Sequence, residues 1–212
     1  MSGFPGPEQA LAGYRQALAT ARENGDQSGE AELLEKLASL FSDLKRFQQA
    51  VEFYEQALAM MRLLKDRQGE CRALTGLALA HTGLGRYQQA IAFHKQALAL
   101  AQEIADLPAQ AANLGGLGLA YRKLDEHEQA IAHYLQALTL ARRSGDRLNE
   151  GMHLCSLARV YRDLDLAEEA VELYQEARDI FMDIGASHLV DWTTRRIVKA
   201  YGVRKSEPPR SG

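Results

Sequence analysis

The sequence predicts an all-α fold, an array of about ten antiparallel helices, and three observations predict it. The first is self-similarity: Ala50-Val51, Ala90-Ile91, Ala130-Ile131 and Ala170-Val171 are spaced by 40 residues, and Ala57, Ala97, Ala137 and Ala177 follow each pair by seven. A fixed period of this size means stacked supersecondary units. The second is helical spacing of apolar residues inside each period, as at Leu33, Leu34, Leu37, Ala38 and Phe41. The third is punctuation, with Asn24-Gly25-Asp26, Asp66, Asp106 and Asp146 at the joins, where a helix stop meets an N-cap.

Residues 1–7, Met1-Ser2-Gly3-Phe4-Pro5-Gly6-Pro7, read as a disordered start. Glu8 to Glu23 then carries Ala10, Tyr14, Ala17 and Leu18 in the places of Ala90, His94, Ala97 and Leu98, which makes it a second-type helix without its partner. Four repeats follow, each a first-type helix and a second-type helix, over 28–64, 67–104, 109–143 and 148–184. A final first-type helix is expected over 187–201, and 203–212 reads as a disordered tail with paired prolines. Each helix should be on the order of 25 Å long at 1.5 Å per residue. The small residues have a steric reason: Ala38, Ala78, Gly118 and Ala158 on first-type helices oppose Ala50, Ala90, Ala130 and Ala170, and close approach requires them. An unbroken repeat from 8 to 202 predicts one elongated domain.

Net charge is −3 and the pI about 6.1, so the basic footprint of a nucleic-acid binder is missing. No apolar run has the length of a membrane span, and the start lacks the charged and apolar regions of a signal peptide, which together point to a cytoplasmic protein. Cys71 and Cys155 lie two repeats apart at different repeat positions, and reduced thiols are expected, one buried and one lining a surface.

Asn113-Leu114-x-x-Leu117-Gly118-x-Ala120-Tyr121 followed by Ala130-Ile131-x-x-Tyr134-x-x-Ala137-Leu138 resembles the tetratricopeptide repeat. The 40-residue version is similar to the repeats of the Pins-like adaptors and of bacterial regulatory arrays. The resemblance implies a right-handed α–α superhelix, a non-enzymatic scaffold or adaptor, and a partner that is another protein or a peptide. His81, Ala167 and Arg178 depart from the pattern. Chaperone-binding members and the Pins-like adaptors commonly place asparagine where this chain has Lys36, Gly76, Gly116, Ser156 and Arg196, so the resemblance does not extend to a clamp for chaperone tails.

Catalytic constellations are missing from the sequence. The histidines at 81, 94, 127, 133, 153 and 188 form no close pair at metal-ligand spacing, so packed or surface histidines are expected and no metal or cofactor. Gly115-Gly116-Leu117-Gly118 falls inside a helix rather than after a strand, which excludes a phosphate loop. Its glycines suggest close approach of a bound chain.

What remains is the face of the first-type helices opposite their packing stripe. It is acidic early, at Glu32, Glu35 and Asp43, and small or apolar in the middle, at Thr75, Leu79, Gly115, Leu119 and Met152. Toward the end it is basic, at Arg122, Lys123, Arg159, Arg162, Arg195 and Lys199, with Trp192 among them. This gradient predicts a peptide-binding groove for a segment combining acidic residues with a hydrophobic anchor. Two other readings follow from the same residues. One is a regulatory module sensing a peptide or small ligand. The other is head-to-tail self-association, in which the unpaired first and last helices complete a split repeat.

Overall fold

The computed structural model describes residues 6–204, with side chains described through Ala200. Ten helices occur among the described residues: α1 (Pro7–Glu23), α2 (Gln27–Asp43), α3 (Phe47–Leu64), α4 (Arg67–Gly83), α5 (Tyr87–Glu103), α6 (Leu107–Lys123), α7 (His127–Ser144), α8 (Arg147–Asp163), α9 (Ala167–Asp183) and α10 (Ser187–Arg204). The expected disordered segments fall mostly on residues 1–5 and 205–212, which lie outside the described residues. Pro7 opens α1, and α10 continues to Arg204.

The period is built from the turns. Residues 25, 45, 65, 85, 105, 125, 145, 165 and 185 all adopt positive φ, so the chain enters the left-handed region once every 20 residues. After each, the next backbone N–H bonds back five residues, as Asp66 to Met61, Asp106 to Ala101 and Leu166 to Tyr161, which closes the helix end as a Schellman motif. Every helix that follows a second-type helix within 26–163 gains an aspartate cap. Asp26, Asp66, Asp106 and Asp146 accept hydrogen bonds from the backbone N–H of Gly29, Gly69, Ala109 and Asn149. Helices of the second type lack such a cap. Their first turn is reached directly from the left-handed residue.

Contacts divide the chain into two compact units, 1–109 and 110–212. In the first, Leu34, Leu37 and Phe41 of α2 and Leu74 and Leu77 of α4 are buried with the α3 residues Ala50, Val51 and Ala57. In the second, Leu154, Leu157 and Val160 of α8 and Tyr174, Ile180 and Phe181 of α9 form the core. Each such aliphatic or aromatic side chain stabilises by about 1.5–3 kcal/mol when fully buried. The expected small-residue crossings are fully buried: Ala38, Ala50, Ala78 and Ala90 in the first unit, Ala130, Ala158 and Ala170 in the second.

Gly118 has its reason inside the molecule. A Cβ there would lie 2.8 Å from the Tyr134 ring, and one on Gly115 would lie 3.0 Å from His153. Gly118 and Gly115 therefore admit side chains of α7 and α8. Histidines fill aromatic places: His81 stacks on Phe93 and His133 on Tyr121, at centroid separations of 5.2 and 5.3 Å. Both cysteines are free and buried, so neither thiol is on an open surface.

The terminal helices are not equivalent. On α1, Ala10 is half-buried and Ala17 exposed, although Ala50, Ala57, Ala90, Ala97, Ala130, Ala137, Ala170 and Ala177 at the same places are fully buried. On α10, exposed Asp191 and Thr194 stand where α2, α4 and α8 carry Ala31 and Leu34, Cys71 and Leu74, and Gly151 and Leu154, all buried. Val198, in the place of Ala38 and Ala78, is 65% exposed.

Candidate functional site

In the first unit, two of the three acidic residues expected to face a ligand, Glu32 and Glu35, already have partners. Arg72 of α4 binds Glu35 of α2 through two nitrogens, at 2.9 and 3.1 Å, and Glu32 pairs with Lys36. The Thr75 hydroxyl donates to the Cys71 carbonyl, and Leu79 stands 54% exposed on α4.

In the second unit, the basic residues separate into two groups. Arg122 is buried and bonds Asp163, which also takes a hydrogen bond from Arg162. Burial alone would raise the Asp163 carboxyl, but the hydrogen bonds from Arg162 and Arg122 outweigh it and hold the group below its ordinary range. Arg122, expected on the open face, is thus neutralised within the fold. Lys123, Arg195 and Lys199 are exposed.

Arg159 differs from all of these. It is half-buried on α8 and has no carboxylate partner among the described residues. Desolvation lowers its pKa, and the charges of Arg122 and Arg162 lower it further. A guanidinium held this way gains from any anion that reaches it, because its hydration has already been given up.

Arg159 lines a cavity of about 300 Å³ with Met152, Cys155 and Ser156 of α8, Phe181 of α9, and His188, Leu189 and Trp192 of α10. Trp192 meets Tyr174 edge-on at 6.1 Å between ring centroids, and the Arg196 guanidinium lies 4.9 Å from the Trp192 ring centre. The cavity wall is mostly apolar, with one unpaired cation, the composition of a pocket that orients a ligand by a single charge. Cys155 is unreactive there: burial pushes its thiol up to about 12, so the thiolate is not available near neutral pH. His153, beneath Gly115, is lowered by burial.

Of the residues expected from sequence, Met152, Arg159 and Trp192 converge on this cavity. Gly115 and Leu119 lie on α6, part-buried, and Arg162 is drawn to Asp163. Sequence reasoning missed Phe181, His188 and Leu189. The spacing of His188 and Leu189 from Trp192, four and three residues on one helix, was the available signal. No group of three or more histidine, cysteine or carboxylate side chains suited to a metal ion occurs among the described residues. Nor is any described helix long and apolar enough to cross a membrane.

Comparison with known proteins follows this geometry. A family model described as Tetratricopeptide repeat matches residues 7–63, 69–143 and 108–183. No curated protein matches the chain. Among solved structures, the apo form of RapI is similar with a TM-score of 0.82 and 18% identity, covering 95% of this chain and 78% of that one. BtubC (BKLC) from P. vanneervenii has a TM-score of 0.66 and 16% identity, covering 99% and 96%. A Rap protein complexed with Competence and Sporulation Factor has a TM-score of 0.66 and 16% identity, covering 93% and 59%. At these identities the structures speak to the fold alone, while the family model spans most of the sequence. The chain belongs to the tetratricopeptide repeat family.

Proposed function

We propose that this protein is an interaction module that holds a segment of another protein, bearing acidic residues and a hydrophobic anchor, against the first-type helices of its second unit. The observation that carries the reading is Arg159, a half-buried cation without a carboxylate, at the edge of a cavity walled by Met152, Phe181, Leu189 and Trp192. An acidic side chain of the partner neutralises Arg159, and its neighbouring apolar side chain fills the cavity. Exposed Arg195 and Lys199 steer further acidic residues toward the site. Catalysis has no part in this reading, which asks no bond to form or break.

Peptide sensing is the second reading. It is favoured by the size of the cavity, which suits one bulky side chain or a small ligand, and by the likeness to a Rap protein whose structure is a complex with Competence and Sporulation Factor. Head-to-tail assembly has less support: Asp191 and Thr194 on the open side of α10 favour a polar cap, as a repeat array needs at its end.

The test is capture of the partner from the native organism by the whole protein, repeated with Arg159→Glu and Arg162→Glu together. Capture should fall by at least a hundredfold, and it should weaken as salt rises. Undiminished capture by a folded double variant would overturn the reading.

A further inference from the structure

Successive first-type helices meet in a register that one ion pair makes visible. Arg72 of α4 bonds Glu35 of α2 through two nitrogens, so residues 37 apart face each other across that pair of helices. The same offset between α8 and α10 sets Cys155 opposite Trp192, and both do line the cavity. One turn further along both helices it sets Arg159 opposite Arg196, where α2 and α4 carry the uncharged Ser39 and Gly76. Both arginines belong to the cavity's surroundings by direct contact: Arg159 lines it, and the Arg196 guanidinium lies 4.9 Å from the centre of the Trp192 ring that forms its wall. Charge there does not balance. Arg122 and Arg162 both bond Asp163, while neither Arg159 nor Arg196 has a carboxylate partner among the described residues. Four guanidinium groups therefore share one carboxylate, and two of them face each other with the same sign, an arrangement that repels itself until an anion comes between them.

We infer that the acidic side chain this site takes is a phosphotyrosine of the bound segment: Arg159 and Arg196 close on its phosphoryl group from opposite helices, and its ring fills the cavity against Phe181 and Trp192. This rests on the reading of Arg159 given above and names the anion. A carboxylate brings one negative charge, which answers one of the two facing arginines and leaves the other. A phosphoryl group carries about two at neutral pH, and its three oxygens accept from both guanidinium groups at once. Size points the same way. At about 300 Å³ the cavity lies at the small end of ligand pockets and admits one side chain, so anion and apolar body belong to a single residue. Phosphotyrosine joins the two, and its ring meets an aromatic wall.

Trp192 is the single tryptophan, so its fluorescence reports this site in the full chain. Three probes separate the parts of the ligand: N-acetyl-O-phosphotyrosinamide, its singly charged counterpart N-acetyl-4-carboxyphenylalaninamide, and inorganic phosphate. The phosphotyrosine probe should perturb Trp192 saturably and bind at least about tenfold tighter than either of the others. Arg196→Gln should weaken it by about tenfold and bring it level with the carboxylate probe, and Arg159→Gln should do the same. Arg143→Gln makes an equal change of charge at an exposed place on α7 and should alter neither affinity.

A preference over the carboxylate probe smaller than about tenfold overturns the phosphoryl assignment and leaves the reading of Arg159 standing. Inorganic phosphate binding as tightly as the phosphotyrosine probe would make the seat one for free phosphate and overturn the proposal as well. So would a folded Arg196→Gln that keeps the full preference, since the two facing arginines would then not act together. Should either variant fail to fold, the three probes on the unaltered chain still decide. If none of them perturbs Trp192, this proposal falls, and the capture experiment decides the wider reading separately.

Discussion

The α7–α8 turn and the α5–α6 turn have the same backbone and different chemistry. At the first, Glu150, only 5% exposed, receives Arg142 from α7 and Arg147 from its own helix, and these arginines reach on to Glu176 and Asp183 of α9. The α3–α4 turn repeats the device, with Glu70 held by Arg62 and Arg67, and Arg67 also pairs with Glu103 of α5. At the α5–α6 turn the corresponding residues are Gln102, Leu107 and Gln110, which cannot form ion pairs, and Leu107 is 42% exposed. The division into two compact units falls here, between Ala109 and Gln110. The α9–α10 turn also lacks the pair, carrying Met182, Ser187 and Val190, yet lies inside one unit. The comparison teaches that the same turn backbone forms with or without the ion pairs, and that a buried carboxylate clamped by two arginines is an addition made at the α3–α4 and α7–α8 turns.

The largest effect should come from breaking the clamp. Glu150→Ala leaves two guanidinium groups facing a site from which the carboxylate has gone, and it should cost about 2 kcal/mol in a urea unfolding experiment. The arginines are half-exposed and recover water, which keeps the cost below that of a fully buried pair. A change below about 0.5 kcal/mol would show that the clamp is ornamental. The reverse experiment builds the clamp where it is missing. Gln102→Arg, Leu107→Arg and Gln110→Glu combined should stabilise by about 1 kcal/mol and slow amide exchange in the first turn of α6. Unchanged exchange there would separate the ion pairs from the division of the chain.

Much of the fold was legible because it repeats. Period, helix type and the aspartate caps could all be read from positions 40 apart, and most boundaries agree within a residue or two. The start of α6 was placed at Ala109, and the helix begins at Leu107, one residue before Pro108. In the first turn of a helix, a proline's missing N–H has no intrahelical partner to lose, so it is accommodated there. The site was less legible. Helical geometry put Met152, Arg159 and Trp192 on one face, but it could not show that Asp163 would neutralise Arg122, since that pairing joins residues 41 apart on α6 and α8. Nor could it find the unbonded hydroxyl of Tyr174, which is buried at a packing position of α9.

The smallest effect concerns the turn backbone itself. Nine of the described residues adopt positive φ, and at 25, 85, 145 and 185 they are glycine, which enters that region without steric cost. At 45, 65, 105, 125 and 165 they are lysine, alanine or aspartate, and a Cβ there crowds the following carbonyl. Ala105, at φ 57°, is the instructive case, because it sits at the α5–α6 turn that also lacks the arginine–glutamate clamp. It has neither the short polar side chain that lets aspartate bond its own backbone nor a charged end to complement the helix C-terminus. Ala105→Gly should therefore stabilise by about 0.5–1 kcal/mol, the steric relief exceeding the extra entropy glycine brings to the unfolded chain. Gly145→Ala, at the clamped α7–α8 turn, should destabilise by a similar amount. Equal and opposite shifts in the urea midpoint would mean that the two turns share one backbone requirement and differ only in their side chains. A destabilised Ala105→Gly would mean instead that the weaker turn depends on the stiffness alanine gives it.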